Sequence, residues 1–181
     1  MKLIALSGSL RKASFNTRLA NAIAKRALNG VHVEVATCHG IPLYDGDLEE
    51  SEGVPAAVTE LRGRIRAADG LILVTPEYNA GMPGVFKNTL DWLSRPPSEM
   101  YPNFEDRPTA LAGATPGGLG TTLAQSGALV VLRQFRVRLF PDHLRVSSAK
   151  DAFDESGDVT GRTAETLDTW LAKFVVFAKP D

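Results

Sequence analysis

Cysteine is nearly missing from this chain: Cys38 stands alone among 181 residues, so no disulfide can form within it. Cys38 and its neighbour His39 do not make a zinc site either, since zinc asks for about four ligands. A half-buried thiol near a strand end is the expectation. A surplus of either charge is also missing. The 20 Lys and Arg against 21 Asp and Glu leave a formal net charge of -1, whereas nucleic acid and anionic membrane both reward a strong basic excess. Neither partner is implied. No apolar run is long enough to span a bilayer, and the N-terminal stretch Leu3-Ile4-Ala5-Leu6 is too short for the core of a signal peptide. A cytoplasmic protein is expected. No repeat, low-complexity tract or interdomain linker breaks the chain, and 44% hydrophobic content suits one domain over residues 1 to 181 with a full core.

What the sequence does contain is an alternation of buried-strand and helical patterns, the mark of an α/β chain built from parallel βαβ units. Lys2 to Leu6 reads as the first strand. Asn16 to Leu28 reads as a helix, with Leu19, Ile23 and Ala27 four apart. Val31, Val33 and Val35 mark the second strand, and a loop from Cys38 to Gly53 carries Asp45, Asp47, Glu49 and Glu50 as a solvated face. A helix from Val54 to Ala68 leads into a third strand, Leu71 to Val74. The stretch Gly84 to Ser94 is helical, with Phe86, Leu90 and Leu93 on one face, after which Pro96, Pro97 and Pro102 predict a loop. Thr109 to Ala114 is the fourth strand, Thr121 to Phe135 a helix, and a fifth strand interrupted by Pro141 falls between Val137 and Val146. A last helix from Arg162 to Ala178 places Leu167, Trp170, Leu171, Phe174 and Val175 on a core stripe. Five parallel strands with right-handed crossovers suggest the doubly wound order 2-1-3-4-5, whose ligand crevice opens between strands one and three.

The loops after those two strands are the most unusual in the chain. The first, Ser7 to Thr17, runs into a helix N-terminus, where free N–H groups and the helix dipole favour an anion. Gly8 permits a tight turn, Ser9, Ser14 and Thr17 offer hydroxyls, and Arg11 can fork onto two phosphate oxygens. No Gly-Lys-Ser/Thr follows, so it is not a P-loop, and the G-x-G-x-x-G spacing is missing too. The same residues also suit an ordinary loop in which Ser14 or Asn16 caps the helix, and the loop alone leaves both readings open. In the second loop, Thr75 to Gly84, the run Pro76-Glu77-Tyr78-Asn79 can form a rigid edge that offers backbone groups to a flat heterocycle such as an isoalloxazine ring. Tyr78 can stack or pack beside such a ring, with Glu77 and Asn79 near its edges. A structural turn with a surface tyrosine is the alternative.

Taken together, Gly8-Ser9-Leu10-Arg11, then Ser14, Asn16 and Leu19, with Pro76-Glu77-Tyr78-Asn79 and the run from Gly81 to Pro96, resemble the NAD(P)H-dependent FMN reductase family, which includes quinone and chromate reductases and flavin azoreductases. The resemblance spans nearly the whole chain, since Thr115-Pro116-Gly117-Gly118 and Ala152 to Gly157 also correspond. It implies a flavodoxin-like three-layer sandwich, non-covalent FMN, NAD(P)H as co-substrate, a small-molecule electron acceptor, and a homodimer or homotetramer. By the same likeness Ser9, Arg11, Ser14, Asn16 and Thr17 hold the FMN phosphate, Pro76, Glu77, Tyr78 and Asn79 the ring, and Thr115, Pro116, Gly117 and Gly118 close the crevice. The chain departs where many members carry a second paired glycine and an arginine, having Gly120-Thr121-Thr122-Leu123-Ala124-Gln125 instead. No catalytic side chain and no metal ligand is expected, because the flavin carries the chemistry. His32, His39 and His143 fall outside both loops and receive no role; Trp92 and Arg95 suit core or interface. A flavodoxin-type electron carrier is the rival reading; against it stand Arg11 and the balanced charge. A dinucleotide site on Gly117, Gly118 and Gly120 has the wrong spacing.

Overall fold

In the computed structural model, which describes residues 1–179, the apolar runs form a parallel sheet. Its strands are β1 (Lys2–Ser7), β2 (His32–Thr37), β3 (Gly70–Val74), β4 (Pro108–Ala114), β5 (Arg138–Leu139) and β6 (Leu144–Val146). The order is β2-β1-β3-β4-β5, with β6 also paired to β4. This is the expected doubly wound order. Every residue of β3 and β4 is buried, as a strand covered on both faces requires. The fifth strand is split: β5 lies beside Pro108 and Thr109, and β6 beside Ala112 to Ala114. Pro141, which has no N–H to give a ladder, falls in the gap.

The helices are α1 (Phe15–Lys25), α2 (Gly46–Glu52), α3 (Ala56–Arg66), α4 (Gly84–Leu93), α5 (Met100–Phe104), α6 (Thr122–Gln134) and α7 (Gly161–Phe177). Because side chains alternate along a strand, Leu3, Ala5, Ile72 and Val74 pack with α1 and α7 on one face. Ile4, Leu6, Leu71 and Leu73 pack with α3, α4 and α6 on the other. Two apolar layers thus fix the sheet between helices.

Three expectations need correction. The acidic stretch read as loop contains α2, none of whose residues is buried; Asp45 starts it by accepting the Asp47 N–H at 2.9 Å, and Asp47 and Glu49 suit the positive end of the helix dipole. The prolines read as forcing a loop instead open a 3-10 turn (Pro97–Glu99) and α5. Pro102 sits in the first turn of α5, where its missing N–H would have had no partner. Helix α1 ends at Lys25, short of Leu28.

Candidate functional site

A cleft opens at the C-terminal ends of β1, β3 and β4, bounded by the loops that follow each strand. Of the first-loop residues, Ser9, Arg11, Ser14 and Asn16 line it and Thr17 does not. Ser9 and Ser14 are buried. The Ser14 hydroxyl oxygen accepts the N–H groups of Asn16 and Thr17, both at 3.2 Å, so it caps α1, and its own proton is free to turn toward the cleft. Arg11 is exposed and, among the described residues, in no ion pair. Its N–H donates to the Ser9 hydroxyl at 3.3 Å, whereas the N–H groups of Leu10, Lys12 and Ala13 find no acceptor among the described residues. A free guanidinium, unspent N–H groups and the start of an 11-residue helix make an anion-accepting end.

Asn16 and Thr17 brace this loop from behind. The Asn16 amide donates to the Ala114 carbonyl and accepts the Ala114 N–H, both at 2.9 Å, tying the start of α1 to the end of β4. The Thr17 and Ser7 hydroxyls meet at 2.9 Å. Below them Cys38 is buried, with its thiol 3.4 Å from the Ser7 carbonyl, and burial pushes that thiol up to about 11. It is not a thiolate nucleophile at neutral pH. His39, given no role from the sequence, reaches the loop after all. Its Nδ1 lies 2.9 Å from the Thr37 hydroxyl and its Nε2 3.2 Å from the Leu10 carbonyl. Nothing local in the sequence signals that contact. His143 sits in a separate hollow beside α7, where burial and Arg145 lower its pKa.

In the second loop Pro76, Glu77 and Tyr78 line the cleft, and Asn79 lies just outside it. Tyr78 and Gly81 exchange backbone hydrogen bonds at 3.0 and 3.1 Å around Asn79 and Ala80, whose φ angles are 50° and 62°. Positive φ at both central residues is the tight two-residue hairpin, and it leaves Tyr78 half exposed at the rim. The Glu77 carboxylate plays a part that no local pattern signals. One of its oxygens accepts the N–H groups of Leu123 at 2.8 Å and Ala124 at 3.0 Å, capping α6 from 46 and 47 residues away. Thr121, at the cap position itself, makes no side-chain cap bond.

Thr115 and Pro116 form the third wall; Gly117 and Gly118 are exposed beyond it. This wall is anchored by Thr115 N–H to the Val146 carbonyl and Ser148 N–H to the Gly117 carbonyl, both at 3.0 Å. In the segment Gly120 to Gln125, Gly120 has φ +56° and an added Cβ would fall 2.7 Å from Arg145. The buried Gln125 amide donates to the Thr121 hydroxyl and the Leu144 carbonyl at 3.0 and 3.1 Å, so this stretch is stitched to β6. Between Pro76–Tyr78 and Thr115–Pro116 the cleft is a slot with an anion-accepting end.

A doubly wound parallel sheet with its cleft where the strand order reverses defines a flavodoxin-like α/β protein. The model of the NADPH-dependent FMN reductase family matches residues 1–151, and the chain belongs to that family. It is therefore an oxidoreductase with FMN as cofactor and NAD(P)H as co-substrate. The chain is 39% identical over 168 residues to an NAD(P)H-dependent FMN reductase of Pseudomonas aeruginosa, covering 92% of this chain and 89% of that protein. It is 33% identical to a 2-hydroxy-1,4-benzoquinone reductase of Burkholderia sp. over 181 residues, 99% of this chain and 97% of the relative. Among solved structures, the flavoenzyme NAD(P)H:(acceptor) oxidoreductase FerB of Paracoccus denitrificans matches with a TM-score of 0.86 at 30% identity, covering 98% and 96% of the two chains. Among the described residues no helix is long and apolar enough to cross a membrane.

Proposed function

We propose that this protein, as a single cytoplasmic domain, reduces a quinone-class acceptor with electrons from NAD(P)H, and that the cleft holds the FMN. The carrying observation is the pairing of an unspent anion site with a slot at the switch point. The residues present fit a phosphate-bearing flavin. The hydroxyls of Ser9 and Ser14, the Arg11 guanidinium and the free N–H groups of the loop take the phosphate, and Asn16 and Thr17 hold that loop in place. Pro76 and Tyr78 flank the ring, with Glu77 and Asn79 setting the edge that carries them. Thr115, Pro116, Gly117 and Gly118 form the opposite wall.

Bound FMN supplies hydride acceptance from the nicotinamide and delivery to the acceptor. The protein binds, orients and leaves one face open, and no side chain in the cleft is assigned a proton-transfer role. A single open face used in turn by donor and acceptor gives ping-pong kinetics, with parallel initial-rate lines. The Burkholderia relative, similar from end to end, supports the quinone; an azo compound, chromate or free flavin is the alternative acceptor. A homodimer or homotetramer is the proposed assembly, checked by sedimentation.

The deciding experiment is the visible spectrum of the purified protein, then anaerobic addition of NADH or NADPH. The flavin bands should be present and should bleach, and a benzoquinone should restore them. A colourless protein that ignores added FMN overturns the reading.

A further inference from the structure

The turn after β2 supports the end of β1 and the loop that follows it at one point each: the Cys38 thiol against the Ser7 carbonyl, and the His39 ring against the Leu10 carbonyl. We infer that His39 is a positioning residue for the phosphate end of the cleft, acting by fixing the orientation of the Leu10–Arg11 peptide. This rests on the FMN reading given above.

The chemistry of the contact decides its direction. A carbonyl oxygen only accepts, so Nε2 carries a proton and donates to Leu10, while Nδ1 meets the Thr37 hydroxyl, which can either donate or accept. A trans peptide points its C=O and its N–H in opposite directions. With the Leu10 oxygen drawn to His39, the Arg11 N–H is turned to the other side, where it meets the Ser9 hydroxyl that lines the cleft. Were this peptide to rotate, the Leu10 carbonyl dipole would face the place where an anion sits, and repulsion would replace attraction. Leu10, Lys12 and Ala13 have no acceptors for their N–H groups among the described residues, so the loop has few internal bonds of its own. Its shape depends on contacts from outside, and among the described residues His39 provides the one hydrogen bond from outside the loop to its exposed half. His39 is itself exposed, so its replacement leaves the core untouched.

The test compares FMN with riboflavin, which has the same ring and no phosphate, by flavin fluorescence titration of the apoprotein. His39→Ala should weaken FMN about tenfold, the scale of one hydrogen bond lost at an anion site, and leave riboflavin unchanged. His39→Gln, whose side-chain N–H can again reach the Leu10 carbonyl, should restore FMN to within about threefold of the wild type. Unchanged FMN affinity in His39→Ala overturns the inference, as does a matching loss of riboflavin, which would mean a general effect on the fold. A wild-type protein that binds neither flavin overturns the FMN reading itself. One that binds both equally leaves the ring slot standing and overturns the phosphate role.

Discussion

At the scale of single residues, Gly8 shows why a glycine is needed where no unusual backbone angle demands it. A Cβ added there would fall 2.5 Å from Cγ of Phe86 and 2.7 Å from its Cδ1. Phe86 is wholly buried on α4 with little room to retreat. The sequence suggested Gly8 for its turn; the structure gives close packing as the reason, which no local pattern reveals. Gly8→Ala should therefore destabilise the protein by about 2 kcal/mol, within the usual range for overpacking a filled core. Urea unfolding checks this, and Phe86→Leu in the Gly8→Ala background should recover part of the loss. Equal midpoints for Gly8→Ala and wild type would show that Phe86 yields freely.

At the scale of elements, the Glu77 cap joins one wall of the slot to α6, the helix into which the opposite wall runs. Helix α6 starts after Thr121, whose φ is 60° and whose side chain leaves the helix start uncapped. A carboxylate at that end satisfies two N–H groups and meets the positive end of the dipole. Glu77→Ala should cost about 1–2 kcal/mol in urea unfolding, the range for losing an N-cap. Glu77→Gln keeps an acceptor oxygen without the charge and should lose less than half as much. Because Tyr78 follows Glu77 directly and Thr115 opens the loop that runs into α6, FMN and riboflavin should weaken together in Glu77→Ala. That separates it from His39→Ala, where only FMN should respond. Identical unfolding of Glu77→Ala and wild type would remove the cap from the account.

The same distinction explains what could be read from the sequence. The first four strands, the long helices and the switch-point position of the cleft follow from periodicity and alternation, which are local properties. Ser9, Arg11, Ser14, Pro76 and Tyr78 could be found because they lie in the two loops that topology singles out. Helix α2 escaped because it buries nothing and so has no apolar period, and α5 because Pro102 occupies the one turn that tolerates it. The bracing by Asn16 to Ala114, by Glu77 to α6 and by His39 to Leu10 joins residues far apart in sequence, and only the fold brings them together.

At the scale of the whole molecule, the cleft is walled by the loops that follow β1, β3 and β4, so a ligand spanning it ties together those three strands and both helical layers. A ligand that binds only the folded chain stabilises it by mass action, about 2.7 kcal/mol when its free concentration is a hundred times its Kd. For a chain of this size each kcal/mol raises Tm by about 2–4 °C, so FMN at that concentration should raise Tm by about 5–10 °C. Riboflavin at the same concentration loses the contacts of the first loop and keeps only those of the second and third. Its shift should therefore be clearly smaller in thermal unfolding followed by circular dichroism. Equal shifts from the two flavins would mean that the loop from Ser7 to Thr17 contributes no phosphate contact, and that its serines and Arg11 serve the turn alone.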